Sequence, residues 1–185
     1  MGKLIVWNVI SIDGFFEGDQ PWDLRLHEHI WGEDLRSLSM SIGEEAGLIV
    51  FGRTTYEGMA SHWSTDTDEP EIAEYMNAIP KLVASHTLTE PAWNNTEATS
   101  DPVAELTRRK QLDDRPIYVF GSANLVDSLL DAGLVDELLL GIAPVVLRSG
   151  APFFKEGGGA RPLSLIECRA VDSGGVLLRY HVSHE

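Results

Sequence analysis

Cysteine is nearly absent from this sequence. Cys168 stands alone in 185 residues, so no disulfide can form within the chain. A lone thiol fits a reducing compartment, and the expected location is the cytoplasm. Long hydrophobic runs are missing as well. No segment approaches the roughly 20 apolar residues that a membrane-spanning helix needs. The opening Met1-Gly2-Lys3-Leu4-Ile5-Val6-Trp7-Asn8 turns polar too early for a signal peptide and predicts a first strand instead. Gly2 is followed by Val6 where a myristoylation motif needs Ser or Thr. Positive charge is scarce: 14 Lys and Arg face 29 Asp and Glu, for a net charge of -15. That balance excludes a general binder of nucleic acid or anionic membranes, which needs a positive field. It leaves room for one anionic ligand held by local groups. The GxGxxG dinucleotide fingerprint is also absent.

What is present is an ordinary globular composition, 43% hydrophobic and 23% charged, predicting one domain over residues 1–185. Leu4–Ile10 is a strand by its β-branched content, and Asp13-Gly14 makes a turn after it. Apolar spacing predicts a helix from Leu26 to about Glu45. Leu48–Phe51 and Pro116–Phe120 are continuous apolar runs, as expected of strands covered on both faces. Glu71–Ala78 is a short helix, Lys81–Ser85 a strand and Thr96–Ala98 a short strand. Asp101-Pro102 opens a helix that runs to about Lys110. Ser122 is expected to cap a helix through Leu130, and Glu137–Ile142 is a strand. Leu163–Val171 and Val176–Val182 read as an antiparallel hairpin. The order predicts an α/β fold with a mostly parallel central sheet, an antiparallel C-terminal hairpin and helices on both faces.

Two glycine-marked junctions carry the chemistry. Leu48-Ile49-Val50-Phe51 ends at Gly52, followed by Arg53, Thr54, Thr55, Tyr56 and Glu57. Thr54 to Glu57 match a capping box, which places a helix start at Thr54. Ile117-Tyr118-Val119-Phe120 ends at Gly121, followed by Ser122, Ala123, Asn124 and Leu125. Backbone N–H groups at a helix start attract anions, and glycine allows close approach. The pair therefore suits a ligand with several phosphates. Spacing alone weighs the Gly52 junction equally as phosphate clamp and as capped helix, and favours a plain tight turn at Gly121. Asp13, Trp22 and Asp23 lie in the loop after the first strand and can hold a polar heterocycle or relay a proton, although the residues alone favour turn chemistry at Asp13-Gly14 and a rim contact at Trp22. His27, His29 and Glu33 make no metal site by spacing and predict a solvated helix face, so no metal is expected.

Ser11-Ile12-Asp13-Gly14-Phe15, the two junctions, Asp136-Glu137-Leu138 and Ala143-Pro144-Val145-Val146-Leu147 occur in an order that resembles one family. It is the dihydrofolate-reductase-like group related to the C-terminal reductase domain of the bacterial riboflavin-biosynthesis deaminase-reductase. The resemblance implies a three-layer fold with about eight strands, NADPH as hydride donor and a homodimer. It implies a reductase of a small polar heterocycle, such as 5-amino-6-(5-phosphoribosylamino)uracil in riboflavin biosynthesis. Cofactor phosphates would rest on Gly52, Arg53, Thr54 and Thr55, and on Gly121, Ser122, Ala123, Asn124 and Leu125. Ser85 would lie near the adenosine end. The substrate would stack beneath the loop that carries Asp13 and Trp22. Asp13 is the first expectation for a catalytic contact and Asp23 the second, as proton relay. Arg148 replaces a glycine usual after the Val-Val-Leu strand, where it would meet a substrate anion or be solvated. The alternatives are a non-catalytic nucleotide-binding dimer and a pterin reductase. For the pterin reductase, the acid expected after Pro21-Trp22 falls on His27.

Overall fold

Apolar runs without a polar break end up where both faces of a strand are covered. The structure, a computed structural model, describes residues 1–65 and 68–183. In chain order its first elements are β1 (Leu4–Ser11), β2 (Phe15–Glu17), a 3-10 turn (Arg25–His29), α1 (Glu33–Glu45), β3 (Leu48–Gly52), α2 (Arg53–Trp63), α3 (Pro70–Ala78) and β4 (Lys81–Ala84). There follow β5 (Thr96–Thr99), α4 (Pro102–Leu112), β6 (Ile117–Phe120), α5 (Ala123–Asp131), β7 (Glu137–Ala143), β8 (Ala151–Pro152), β9 (Leu163–Ala170) and β10 (Val176–Val182). Eight strands form one sheet in the order β5-β4-β3-β6-β1-β7-β10-β9. The pairs from β5 to β7 are parallel, while β10 joins β7 and β9 antiparallel. The predicted α/β class, parallel core and C-terminal hairpin are all found.

The strands divide their side chains strictly between two helical layers. Leu4 and Val6 of β1, Leu48 and Val50 of β3, and Ile117 and Val119 of β6 pack with Leu106 of α4 and Val126 and Leu129 of α5. Their sequence neighbours Ile5, Ile49, Phe51, Tyr118 and Phe120 pack on the opposite face with Ile42, Tyr56, Ile72 and Met76 of α1, α2 and α3. A slip of one residue in any central strand would exchange these two sets, so the register is firmly specified.

Three local expectations are corrected. The helix expected from Leu26 is broken: a 3-10 turn precedes α1, which starts only at Glu33. The cause is tertiary. Asp172, in the turn between β9 and β10, accepts from the Glu33 and Asp34 amides at 3.0 and 3.4 Å. A Cβ at Gly32 would meet that carboxylate at 2.6 Å. Secondly, the capping box at Thr54 does not form. α2 begins at Arg53, and Glu57 pairs with Arg53 at 2.8 Å instead. Thirdly, Ser122 holds the N-cap position of α5 without capping it through its side chain. It sits in the left-handed region at φ 63 and its side chain makes no cap bond. In the hairpin, the register slips beside Ile166, opposite Arg179 and Tyr180, as a β-bulge.

Asp172→Ala removes a cap supplied from a distant turn. It should cost about 1 kcal/mol, lowering the thermal midpoint by roughly 2–4 °C for a chain of this size. An unchanged midpoint would mean that the Asp172 contacts do not stabilise α1.

Candidate functional site

β1 pairs with β6 only as far as Trp7 opposite Phe120, then continues beside β7 alone. Where the two strands part, a cleft of about 640 Å³ opens at the carboxyl ends of the parallel strands. Such a position, beside a reversal in strand order, is where open α/β sheets place ligands.

Ser122 ties the two glycine junctions together at the floor of this cleft. Its Oγ accepts from the Gly52 amide at 2.8 Å, at the end of β3. It also lies 2.9 Å from Thr55 Oγ1 and 3.0 Å from the Phe120 carbonyl. Every group is satisfied if Thr55 donates to Ser122 and Ser122 donates to Phe120. Gly121, at φ 57, permits the approach. A side chain there would be strained, and its Cβ would press on Thr55 Cγ2 at 3.1 Å. The left-handed backbone at Ser122 is thus held by its own hydroxyl, and the N-termini of α2 and α5 are fixed side by side.

Both helix starts then face the cleft, with Arg53, Thr54 and Thr55 on one side and Ala123, Asn124 and Leu125 on the other. The first turn of α5 leaves its amides without intrahelical acceptors until Val126, which bonds to Ser122 O at 3.0 Å. Converging amides and helix dipoles make a local anion site on an acidic protein. Among the described residues, Glu17 is the one carboxylate on the cleft wall, and it accepts from the Trp22 amide. Arg53 is braced by Glu57 and by Thr87 Oγ1 beside the loop after β4, which brings Ser85 and His86 to the same end. The other end has an apolar wall of Trp7, Phe16, Trp22, Leu24, Met59 and Phe120, interrupted by the polar Asn8, Glu17 and His27. Trp22 lies against α2, where a Cβ on Gly58 would sit 2.4 Å from its ring.

The cleft therefore brings together Trp22, Gly52, Arg53, Thr54, Thr55, Ser85, Gly121, Ser122, Ala123, Asn124 and Leu125. Asp13, Asp23 and Arg148 are not on its wall. Asp13 accepts from Ser11 Oγ at 2.7 Å and from the Arg148 and Leu147 amides at 2.7 and 3.1 Å. The Ser11 hydroxyl, followed by those amides, holds its carboxyl below the usual range. It staples two loops. Asp23 forms a fork with Arg25 Nε and Nη2 at 2.8 and 2.6 Å. Arg148 is exposed with φ 67, a backbone state that glycine adopts more readily.

His27 is the residue that sequence reasoning set aside. A solvated face was expected, yet its imidazole lines the cleft, and burial lowers its pKa to about 4. It is a neutral hydrogen-bonding group at neutral pH. The signal for it was the count forward from Pro21-Trp22. Asn8 was also missed, because a polar residue inside an apolar strand gives no motif. It is 5% exposed, lines the cleft, and its Nδ2 has no hydrogen-bond partner among the described residues.

Comparison with known proteins places these features. The family model described as the RibD C-terminal domain matches residues 2–177. The uncharacterized protein YyaP of Bacillus subtilis (strain 168) is 25% identical over 185 residues, covering 97% of this chain and 94% of YyaP. A putative riboflavin biosynthesis protein from Shewanella sp. PV-4 superposes with a TM-score of 0.77 at 20% identity, over 98% of this chain and 99% of that one. Dihydrofolate reductase from Enterococcus faecalis, complexed with NADP(H), superposes with a TM-score of 0.64 at 16% identity, over 99% of this chain and 98% of that one.

Burial of His27 has a consequence for stability. Its folded pKa of about 4 lies below the ordinary 6.5. The unfolded chain therefore binds more protons between those values, and stability is lost as pH falls through that window. The thermal midpoint should fall from about pH 6.5 to about pH 4, and His27→Gln should flatten that fall. Equal slopes for the two proteins would contradict a desolvated, neutral His27.

Proposed function

The chain belongs to the RibD C-terminal domain family, and from that premise we propose that it is an NADPH-dependent oxidoreductase acting on a small polar heterocycle. The substrate class is that of 5-amino-6-(5-phosphoribosylamino)uracil, in riboflavin biosynthesis, and residues 1–185 form one reductase unit. The observation that carries this reading is the convergence of two helix N-termini on one cleft with an apolar end. The donor set fits a dinucleotide: amides and hydroxyls for phosphates, and an apolar wall for a flat ring. The NADP(H) complex of the Enterococcus reductase, which shares the fold, also favours it.

In this reading Arg53, Thr54, Thr55 and the Ala123–Leu125 amides hold the phosphates, with Gly52 and Gly121 allowing their approach. Ser85 lies at the adenosine end. NADPH supplies a hydride when bound, and the protein supplies orientation and exclusion of water. Trp22 covers the ring end, and His27 offers a neutral donor or acceptor to the substrate. Asp13 acts as a positioning residue, since its carboxylate is committed to the loop of Leu147 and Arg148. A pterin reductase is less favoured, because His27 stands where the count from Pro21-Trp22 puts the acid, and the cleft carboxylate Glu17 is engaged by the Trp22 amide. The fold carries an exposed edge strand, β9, with Leu163, Leu165 and Ile166 in the open. This supports a homodimer formed through that edge.

Trp7 and Trp22 line the cleft, so saturating NADPH should quench tryptophan fluorescence. Arg53→Ala should weaken NADPH binding about tenfold, as loss of a charge-assisted hydrogen bond predicts. Absence of saturable NADPH binding would overturn the reading. Binding without NADPH oxidation by any pyrimidine or pterin would favour the non-catalytic alternative. Light scattering should give twice the chain mass, and Leu165→Glu should halve it. A monomeric wild-type protein would discard the dimer.

A further inference from the structure

We propose that Gly58 is a positioning residue for the ring end of the cleft: its bare Cα seats the Trp22 indole against α2, and that seat sets how closely the indole covers a planar ring bound beside it. The inference rests on the reading of this cleft as a nucleotide and heterocycle site. Gly58 stands in the middle of α2 (Arg53–Trp63) and is not among the glycines with positive φ. Its backbone therefore has no need of glycine. In a helix interior glycine is weaker than alanine, so this position gives up helix stability. What glycine supplies here is space.

The indole uses that space with its face. A Cβ on Gly58 would lie 2.4, 2.4 and 2.5 Å from Cδ2, Cε3 and Cε2 of Trp22. Near-equal distances to three atoms of the six-membered ring put the Cβ over the ring face, not at its edge. Ordinary contacts begin at 3.4 Å, so alanine would drive the indole off α2 by about 1 Å. The loop that carries Trp22 holds the ring on this seat. Trp22 has φ 65, a left-handed state that bulky residues rarely adopt. Its amide donates to the Glu17 carboxylate, and its carbonyl accepts from the Leu24 amide at 3.1 Å. The Gly18 amide donates to the Asp23 carbonyl at 3.0 Å and closes the loop. Strained backbone held by its surroundings is found at ligand clamps.

The place of the contact gives it a function. Thr54, one turn before Gly58 on the same face of α2, lines the cleft, and so does Met59. Trp22 lines the cleft and also borders a second hollow along α2, with Glu57, Ser61 and His62. The indole is thus part of the wall between the two, and Gly58 decides where that wall stands. A helix glycine can also serve packing alone. Gly43 in α1 makes room for Tyr75 of α3, with a Cβ 2.5 Å from its ring. That contact joins two helices, and neither residue lines the cleft. The Gly58 contact joins a helix that starts at the phosphate-facing end to a loop that covers the ring end.

The test is a double-mutant cycle of Gly58→Ala, Trp22→Ala and the pair, read with three probes. Adenosine 2′,5′-bisphosphate has phosphates and no nicotinamide. NADPH adds the nicotinamide. 5,6-Diaminouracil is a planar ring without phosphate. Gly58→Ala should bind the bisphosphate as the wild type does. It should bind at least one ring probe about fivefold more weakly, as loss of one aromatic contact predicts. Weakened NADPH places the nicotinamide beside Trp22, and weakened diaminouracil places the substrate ring there. In the Trp22→Ala background the same substitution should leave all three affinities unchanged. It should also raise the thermal midpoint there, because alanine strengthens α2 once no ring has to move. Unchanged ring-probe binding by Gly58→Ala would overturn the inference. So would equal weakening in both backgrounds, which marks an effect of the helix itself. Failure of the wild type to bind either nucleotide would sink the dinucleotide reading and leave the diaminouracil cycle to decide Gly58. A wild type that binds none of the three would overturn both.

Discussion

The Ser122 hydroxyl is the point on which the cleft depends. It joins the ends of β3 and β6, two strands that are neighbours in the sheet but 70 residues apart in the Gly52 to Ser122 bond. Without it the Gly52 amide would be left unsatisfied in a partly buried place, at a cost of about 1–3 kcal/mol. The left-handed conformation of Ser122 would also lose the bonds that offset its strain. Both helix starts would then be free to shift. Apolar packing seats α2 and α5 on the sheet, and this one polar side chain ties their N-terminal ends to each other.

This constraint lets an acidic protein hold an anion. The charge of -15 would repel a polyphosphate at long range. At short range the wall offers amide dipoles, hydroxyls and Arg53, with Glu17 already committed to the Trp22 amide. The two effects act at different distances. Salt screens the first within about 8–10 Å and leaves the second largely intact. The apolar end complements the site with Trp7, Phe120 and Trp22, and burial keeps His27 neutral there.

Much of this architecture was legible in the sequence, and the exceptions share a physical cause. Gly52 and Gly121 marked strand ends because apolar runs stop there, and both reached the cleft. The two-faced burial of β3 and β6 followed from their unbroken apolar content. What failed was whatever depends on a distant partner. Ser122 looked like a helix cap and instead bonds across to Gly52. The helix expected from Leu26 breaks because Asp172, far along the chain, caps α1 at Glu33. Asp13 looked available for chemistry, but the Leu147 and Arg148 amides occupy it. Asn8 belongs to no motif, and only the parting of β1 from β6 brings its surroundings into view.

The central claim is that both junctions act on one ligand through their backbone amides. Backbone amide NMR of the labelled protein with saturating NADP+ tests it most directly. The account predicts that the resonances of Arg53, Thr54 and Thr55 move together with those of Ala123, Asn124 and Leu125, at a single shared affinity. Movement confined to one junction, or to neither, would contradict it.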